Sequence, residues 1–340
     1  MTAPMNSSMP RLLTGLLLLG LLCPALGPSA LAQDKGATGE AATGGAATAN
    51  RLQELVKKAR RVVCLGDSIT AAGQYVTAFE VWLQTRDWPQ RPVVIDAGLP
   101  SETVSGLSEE GHAGGQFPRP ALSERLERVL KVTQPDLVIA CYGMNCGIYQ
   151  PFDPERFRRY QDGIRQLHKA VQGVGAQLIL LTPPFYDDRR SPREFRYNDV
   201  LQRYGDWLVE QREAGWNVID VHAAMTAEVA RRRETEPDFT FQPDGVHPND
   251  EGHWFIASRL IAGLGDGPSA EAASPRALLE ARGLPVAMLP LLQQRTALLR
   301  DAYVHAAGHK RPGVNPGRPL PEALETAKEL EAKIAELRGK

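Results

Sequence analysis

Val62-Val63-Cys64-Leu65-Gly66-Asp67-Ser68-Ile69-Thr70 is the stretch that decides the fold. A continuous apolar run of four residues, bounded by glycine, reads as a strand buried on both faces, and Gly66 allows a tight turn into a following helix. Four further short apolar runs follow at 93–95, 137–142, 178–181 and 218–220. Between them lie amphipathic segments, among them 121–132 and 154–171, long enough to be crossover helices. Strands alternating with helices imply an α/β protein with a five-stranded parallel sheet covered on both faces. In such open sheets ligands bind beyond the carboxyl ends of the strands. Chemistry is therefore expected at Gly66-Asp67-Ser68, at 96–101, at Gly143-Met144-Asn145 and at Thr182-Pro183-Pro184.

Outside this body the chain changes character. Arg11 precedes the apolar run 12–22, and Ala30-Leu31-Ala32 places small residues at the two positions a signal peptidase reads before Gln33. Residues 1–32 are therefore expected to be a cleaved secretory signal, leaving a secreted or periplasmic protein. The run is much shorter than the roughly 20 residues a spanning helix needs, and Pro24 and Pro28 follow it, so no stable membrane anchor is expected. Residues 33–50, rich in Ala, Gly and Thr without apolar periodicity, read as a flexible linker. At the other end, 291–306 and 322–337 are helical in pattern, and Leu324, Ala327, Leu330, Ile334 and Leu337 form one apolar stripe. The expected organisation is a catalytic domain at 51–265 and a helical extension at 266–340.

Composition narrows the functional classes. In 340 residues, Lys+Arg 39 balance Asp+Glu 40 to a net charge of -1, with no long block of one sign. No nucleic-acid or anionic-membrane partner is forecast, and the expected partner is a small or neutral substrate. Cys64, Cys141 and Cys146 fall in apolar stretches without a CxxC pair, so no disulfide framework is expected. HExxH, P-loop and strand-coupled GxGxxG patterns are absent, and no metal or cofactor is called for.

Two polar motifs carry the candidate chemistry. Ser68, directly after the first strand, projects near the start of a helix, where free N–H groups and positive potential suit a nucleophile whose attack creates an oxyanion. The same Asp-Ser pair also serves as an ordinary helix cap. The second motif is Pro243-Asp244-Gly245-Val246-His247-Pro248-Asn249. Asp244 and His247 can meet across one turn, and a serine hydroxyl needs a base that a carboxylate orients. Pro248 biases His247 away from helical backbone, while Asn249-Asp250-Glu251 reads as a helix start. Among other histidines, His222 and His253 lie in helical patterns and read as structural. His112 sits in a glycine-rich loop, as a cleft residue or a loop cap. Tyr142, Tyr149, Phe185, Tyr186 and Trp254 are candidate apolar or sugar-stacking contacts.

Taken together, these blocks resemble the GDSL/SGNH hydrolase superfamily over about residues 60–265. The resemblance implies a flavodoxin-like three-layer α/β/α sandwich and assigns Ser68 as nucleophile with Asp244 and His247 as its acid/base pair. It also implies an oxyanion hole made by the N–H groups of Ser68 and Ser101 and the side-chain amide of Asn145. Two positions depart from the usual pattern. Asp96-Ala97-Gly98-Leu99-Pro100-Ser101-Glu102-Thr103 places Ser101 where the family has its second glycine, leaving Gly98 as an alternative donor, and Cys146 stands where Asp often follows the asparagine. The expected activity is that of an exported serine esterase on small acyl esters, foremost a carbohydrate O-deacetylase. A lysophospholipase or thioesterase would use the same residues, and a noncatalytic glycan-binding protein on the same fold is the reading from another class.

Overall fold

The computed structural model describes residues 37–339. Five strands form one sheet: β1 (Arg61–Gly66), β2 (Val93–Asp96), β3 (Leu137–Cys141), β4 (Gln177–Leu181) and β5 (Asn217–Ile219). All neighbours are parallel and the order is β2-β1-β3-β4-β5. Each expected strand is present, because an apolar run buried on both faces tolerates no other local solution once its neighbours pair with it. Val63, for example, lies opposite Ile95 on one side and Val138 on the other.

In chain order the helices are α1 (Ala37–Lys58), α2 (Ser68–Ala71), α3 (Gln74–Gln84), α4 (Leu126–Thr133), α5 (Pro154–Gly173) and α6 (Tyr197–Glu210). They continue with α7 (His222–Arg233), α8 (Asp250–Gly263), α9 (Gly267–Ala270), α10 (Pro275–Ala281), α11 (Met288–Ala307) and α12 (Leu320–Arg338). Strand order dictates the layers. The chain steps one way from β1 to β2 and the other way thereafter, so right-handed crossovers put α3 on one face and α4, α5 and α6 on the opposite one. Helix α8 joins α3, completing a flavodoxin-like α/β/α sandwich. The reversal of direction leaves a crevice at the carboxyl ends of β1 and β3.

Residues 33–36 and the expected signal at 1–32 lie outside the described residues. From Ala37 the anticipated linker is helical instead, since alanine is the best intrinsic helix former and the helix runs on into Leu52 and Val56, both buried in the core. The C-terminal helices pair as α11 and α12, and α11 packs on β2, α3 and α4, which covers an edge strand of the sheet. Residues 43–340 form one compact unit. Arg295 of α11 is buried and ion-pairs with Glu80 of α3 at 2.6 Å, and it also contacts Glu331 of α12. Burial raises the Glu80 carboxyl despite the guanidinium beside it, so removing Arg295 would leave a poorly solvated acid.

Candidate active site

Asp67, Ser68 and the turn they make are set by close packing at Gly66. A Cβ on Gly66 would strike the Thr70 side chain and approach Cys141 O at 2.8 Å. Asp67 is buried and caps α2, its Oδ1 accepting from Ile69 N at 2.9 Å. Burial pushes its carboxyl up to about 6, against the opposing pull of that backbone N–H and of His247. Ser68 follows as the first residue of α2, and its N–H has no acceptor among the described residues. From the C-terminal extension, Arg300 Nη1 donates to Ala71 O at 2.7 Å and so caps the other end of the same short helix.

His247 is presented by the turn before α8. Gly245 adopts a left-handed φ of 88°, and its carbonyl accepts from Asp187 N at 2.9 Å. Asn249 closes the turn, donating N–H to Phe241 O at 2.7 Å and capping α8 by accepting from Gly252 N at 2.8 Å. Asp244 Oδ1 accepts the N–H groups of Val246 and His247 at 2.8 and 2.7 Å, and its Oδ2 lies 2.7 Å from His247 Nδ1. An ionised carboxylate only accepts, so Nδ1 carries the proton and Nε2 keeps its lone pair. Nε2 lies 2.9 Å from Ser68 Oγ, placed to accept the hydroxyl proton. Partial burial works to raise the Asp244 carboxyl, but the bonds from His247 and Val246 outweigh it and hold the group below its usual range. Asp244 and His247 remain about half exposed, with side-chain accessibilities of 56% and 52%.

Asn145 reaches the same rim from the loop after β3. Its Nδ2 donates to Glu102 O at 3.3 Å and its Oδ1 accepts from Tyr149 Oη at 3.0 Å. These two contacts fix which end of the amide points where, and they leave the second Nδ2 hydrogen for a ligand. Tyr149 is delivered by strained backbone, since Ile148 and Tyr149 both take positive φ, 45° and 54°. With Cys146 in the position after Asn145, anchoring passes to Tyr149 and Glu102 in place of a neighbouring carboxylate.

The loop after β2 resolves the departure at Ser101. Ser101 has φ 68°, the left-handed region where the family's glycine is at ease, and its N–H has no acceptor among the described residues. Gly98 does not qualify as the alternative donor, because its N–H is bonded to Asp96 Oδ1 at 2.8 Å. Glycine is needed at 98 for a different reason. A Cβ there would run into the backbone of Thr70 and Ala71 in α2. Glu102, the next residue after Ser101, is fully buried with Arg125, which donates Nε and Nη2 at 2.6 and 2.8 Å to its carboxylate and Nη2 at 2.8 Å to Ala97 O. Tyr142 Oη donates to the same carboxylate at 2.5 Å. This buried network clamps the two ends of the segment 97–102 and therefore the Ser101 N–H.

Sequence reasoning missed Glu102, Arg125 and Arg119. Arg119 is held by Glu109 through two 2.6 Å bonds, donates to Ser101 O at 3.4 Å and stacks on Tyr149, its Cζ 5.2 Å from the ring centroid. His112 shares Glu109 at 3.3 Å and packs edge-on against Phe117, so it secures this loop. His222 and His253 are buried. His222 Nδ1 donates to Pro183 O at 3.1 Å, and His253, stacked with Tyr75, is lowered to about 4 by burial. Cys64, Cys141 and Cys146 are free and buried, and among the described residues no cluster of His, Cys, Asp or Glu is arranged to hold a metal ion.

A flavodoxin-like sheet with hydroxyl, imidazole and carboxylate in hydrogen-bonded series at its carboxyl rim defines a protein of the hydrolase class. Comparison with protein families matches residues 64–255 to the GDSL-like lipase/acylhydrolase family, and the chain belongs to that family. It is accordingly an ester-hydrolysing enzyme in general type. Similar solved structures include a gut microbial diltiazem-metabolizing enzyme, at 19% identity and TM-score 0.48, the match covering 61% of this chain and 47% of that one. An acetylxylan esterase from Geobacillus stearothermophilus is similar at 22% identity and TM-score 0.45, covering 61% and 94%. An alpha/beta hydrolase enzyme from the metagenome of Lake Arreo, Spain, is similar at 23% identity and TM-score 0.47, covering 61% and 96%. No curated protein matches the chain.

Proposed function

We propose that this chain is an exported serine esterase that hydrolyses small acyl esters through an acyl-enzyme, with carbohydrate O-acetyl groups as its substrate class. The observation that carries the reading is the unbroken series from Ser68 Oγ through His247 to Asp244, at 2.9 and 2.7 Å. His247 takes the Ser68 proton as Oγ attacks the ester carbonyl, and the N–H groups of Ser68 and Ser101 with the Asn145 amide stabilise the oxyanion. His247 then protonates the leaving alcohol. A water deprotonated by the same imidazole releases the acid, while Asp244 stays ionised throughout.

The half-exposed Asp244 and His247 favour a sugar ester presented at an open surface over a long acyl chain, which needs an apolar groove to bury it. A fluorophosphonate probe tests the chemistry. The expected result is labelling of the folded protein that Ser68→Ala abolishes, together with a fall in turnover on the order of a thousandfold or more. Folded protein that takes no label would favour a noncatalytic glycan-binding role, and undiminished activity in Ser68→Ala would remove the nucleophile assignment.

A further inference from the structure

The loop between β4 and α6 carries four arginines, and three of them have partners that account for their charge or position. Arg189 Nη1 and Arg190 Nη2 donate to the carbonyls of Pro237 and Asp238 at 3.2 and 2.5 Å, and Arg196 pairs with Asp199 at 3.4 Å. Arg193 differs. It is exposed, and among the described residues no carboxylate lies within ion-pair distance of it. Its Cζ stands 5.1 Å from the Tyr149 ring centroid and 5.9 Å from that of Tyr186, and its Nε donates to Tyr186 Oη at 3.1 Å. The guanidinium is thus held on an aromatic shelf with Nη1 and Nη2 uncommitted among the described residues.

That shelf belongs to the reaction centre on two sides. Tyr149 donates to the Asn145 amide. Ser191, two residues before Arg193, packs against Gly245 in the turn that presents His247, where a Cβ on Gly245 would meet the Ser191 Cβ at 2.5 Å. Tyr186 Oη, which accepts from Arg193, donates in turn to Ser191 O at 2.8 Å, so the loop and its arginine are fixed against that turn. Arg193 therefore lies toward His247, the side from which the leaving alcohol is protonated. Arg119, the other cation on Tyr149, is already neutralised by Glu109.

We propose that Arg193 binds a carboxylate on the alcohol portion of the ester, so that the preferred substrates are O-acylated acidic sugars such as O-acetyl uronic acids. This rests on the esterase reading above and narrows its substrate class. With Nε committed to Tyr186, the planar guanidinium offers its Nη1/Nη2 edge, which matches a carboxylate in bidentate fashion, and an exposed charge of this kind acts most strongly at low ionic strength.

The test compares kcat/KM of the full chain on O-acetylglucuronic acid, O-acetylglucose and the glucose hemisuccinate ester, with 4-nitrophenyl acetate as a substrate lacking the sugar. Wild type is expected to favour the uronate over the neutral sugar by about tenfold, chiefly through KM, the preference falling as salt rises. Arg193→Gln is expected to erase that ratio, whereas a merely structural role for Arg193 would lower activity on both sugars alike. Equal wild-type rates on the two acetyl sugars, a proportionate loss on both in Arg193→Gln, or a charge preference confined to the hemisuccinate would each overturn the proposal. Wild type inactive even on 4-nitrophenyl acetate would instead overturn the esterase reading beneath it.

Discussion

Replacing Asp244 by Asn tests the proton relay without emptying the turn. The Asp244 carboxylate has two duties: Oδ1 receives two backbone N–H groups, and Oδ2 receives His247 Nδ1–H. An asparagine must keep its oxygen on the backbone donors, since turning it away would leave both N–H groups facing an amide NH2. Its nitrogen then faces Nδ1 and donates, which moves the imidazole proton to Nε2. At 2.9 Å from Ser68 Oγ, Nε2 becomes a donor and no longer accepts the hydroxyl proton. The electrostatic part of the loss is softened by solvent, because Asp244 is half exposed, but the tautomer change is not screened. We expect kcat to fall about a thousandfold to ten-thousandfold, equivalent to about 4–5.5 kcal/mol of barrier, with KM little changed. Steady-state hydrolysis of 4-nitrophenyl acetate gives the rate, and thermal unfolding confirms that the turn is intact. A folded Asp244→Asn protein retaining more than a tenth of wild-type kcat would refute the relay.

Two further predictions concern the loop that frames the proposed oxyanion site. Ser101→Gly removes the left-handed strain of an L-residue, about 1–2 kcal/mol, against a glycine entropy cost of about 0.5–1 kcal/mol. Urea unfolding should show a small net gain with esterase activity preserved, and a clear loss of stability would mean that Ser101 is not strained there. Asp96, fully buried, is raised from 3.8 to about 7 chiefly by desolvation, so the folded state holds its proton more tightly than the unfolded state does. Its effect favours folding at acidic pH and is lost as pH rises from about 4 to about 7. Asp96→Asn, whose oxygen still accepts from Gly98 N, should therefore be more stable than wild type at pH 8 by on the order of 2–4 kcal/mol, the gap closing near pH 4. A gap independent of pH would show that Asp96 is already ionised across this range.

The sheet was readable from sequence because each strand is an apolar run buried on both faces, which local composition announces directly. Ser68 and Asn145 stand out in the sequence because each follows directly on such a strand, and Asp244 and His247 because their spacing lets them meet across the one turn before α8. The second oxyanion position was only half readable. A sequence places Gly98 and Ser101 three residues apart, but the Asp96 carboxylate that engages one N–H, and the φ that turns the other, arise from burial of the whole loop. Glu102 and Arg125 stand 23 residues apart and look like solvated charges until packing removes both from water. The helical state of 37–50 is not legible locally, because apolar periodicity there is weak, whereas continuity with Leu52 and Val56 decides it.

The family match ends at residue 255, but the cover over one edge of the sheet comes from beyond it. Helix α11 lies along edge strand β2, and its Arg300 holds the last carbonyl of the helix that Ser68 begins. The catalytic stretch is thus not a portable module. Cut out at 64–255, it would present a naked strand edge to other copies and lose an anchor behind Ser68, inviting aggregation before any question of activity arose. Exchanging or shortening the C-terminal helices, in nature or by design, is therefore constrained by the active site even though those helices contribute no reacting group.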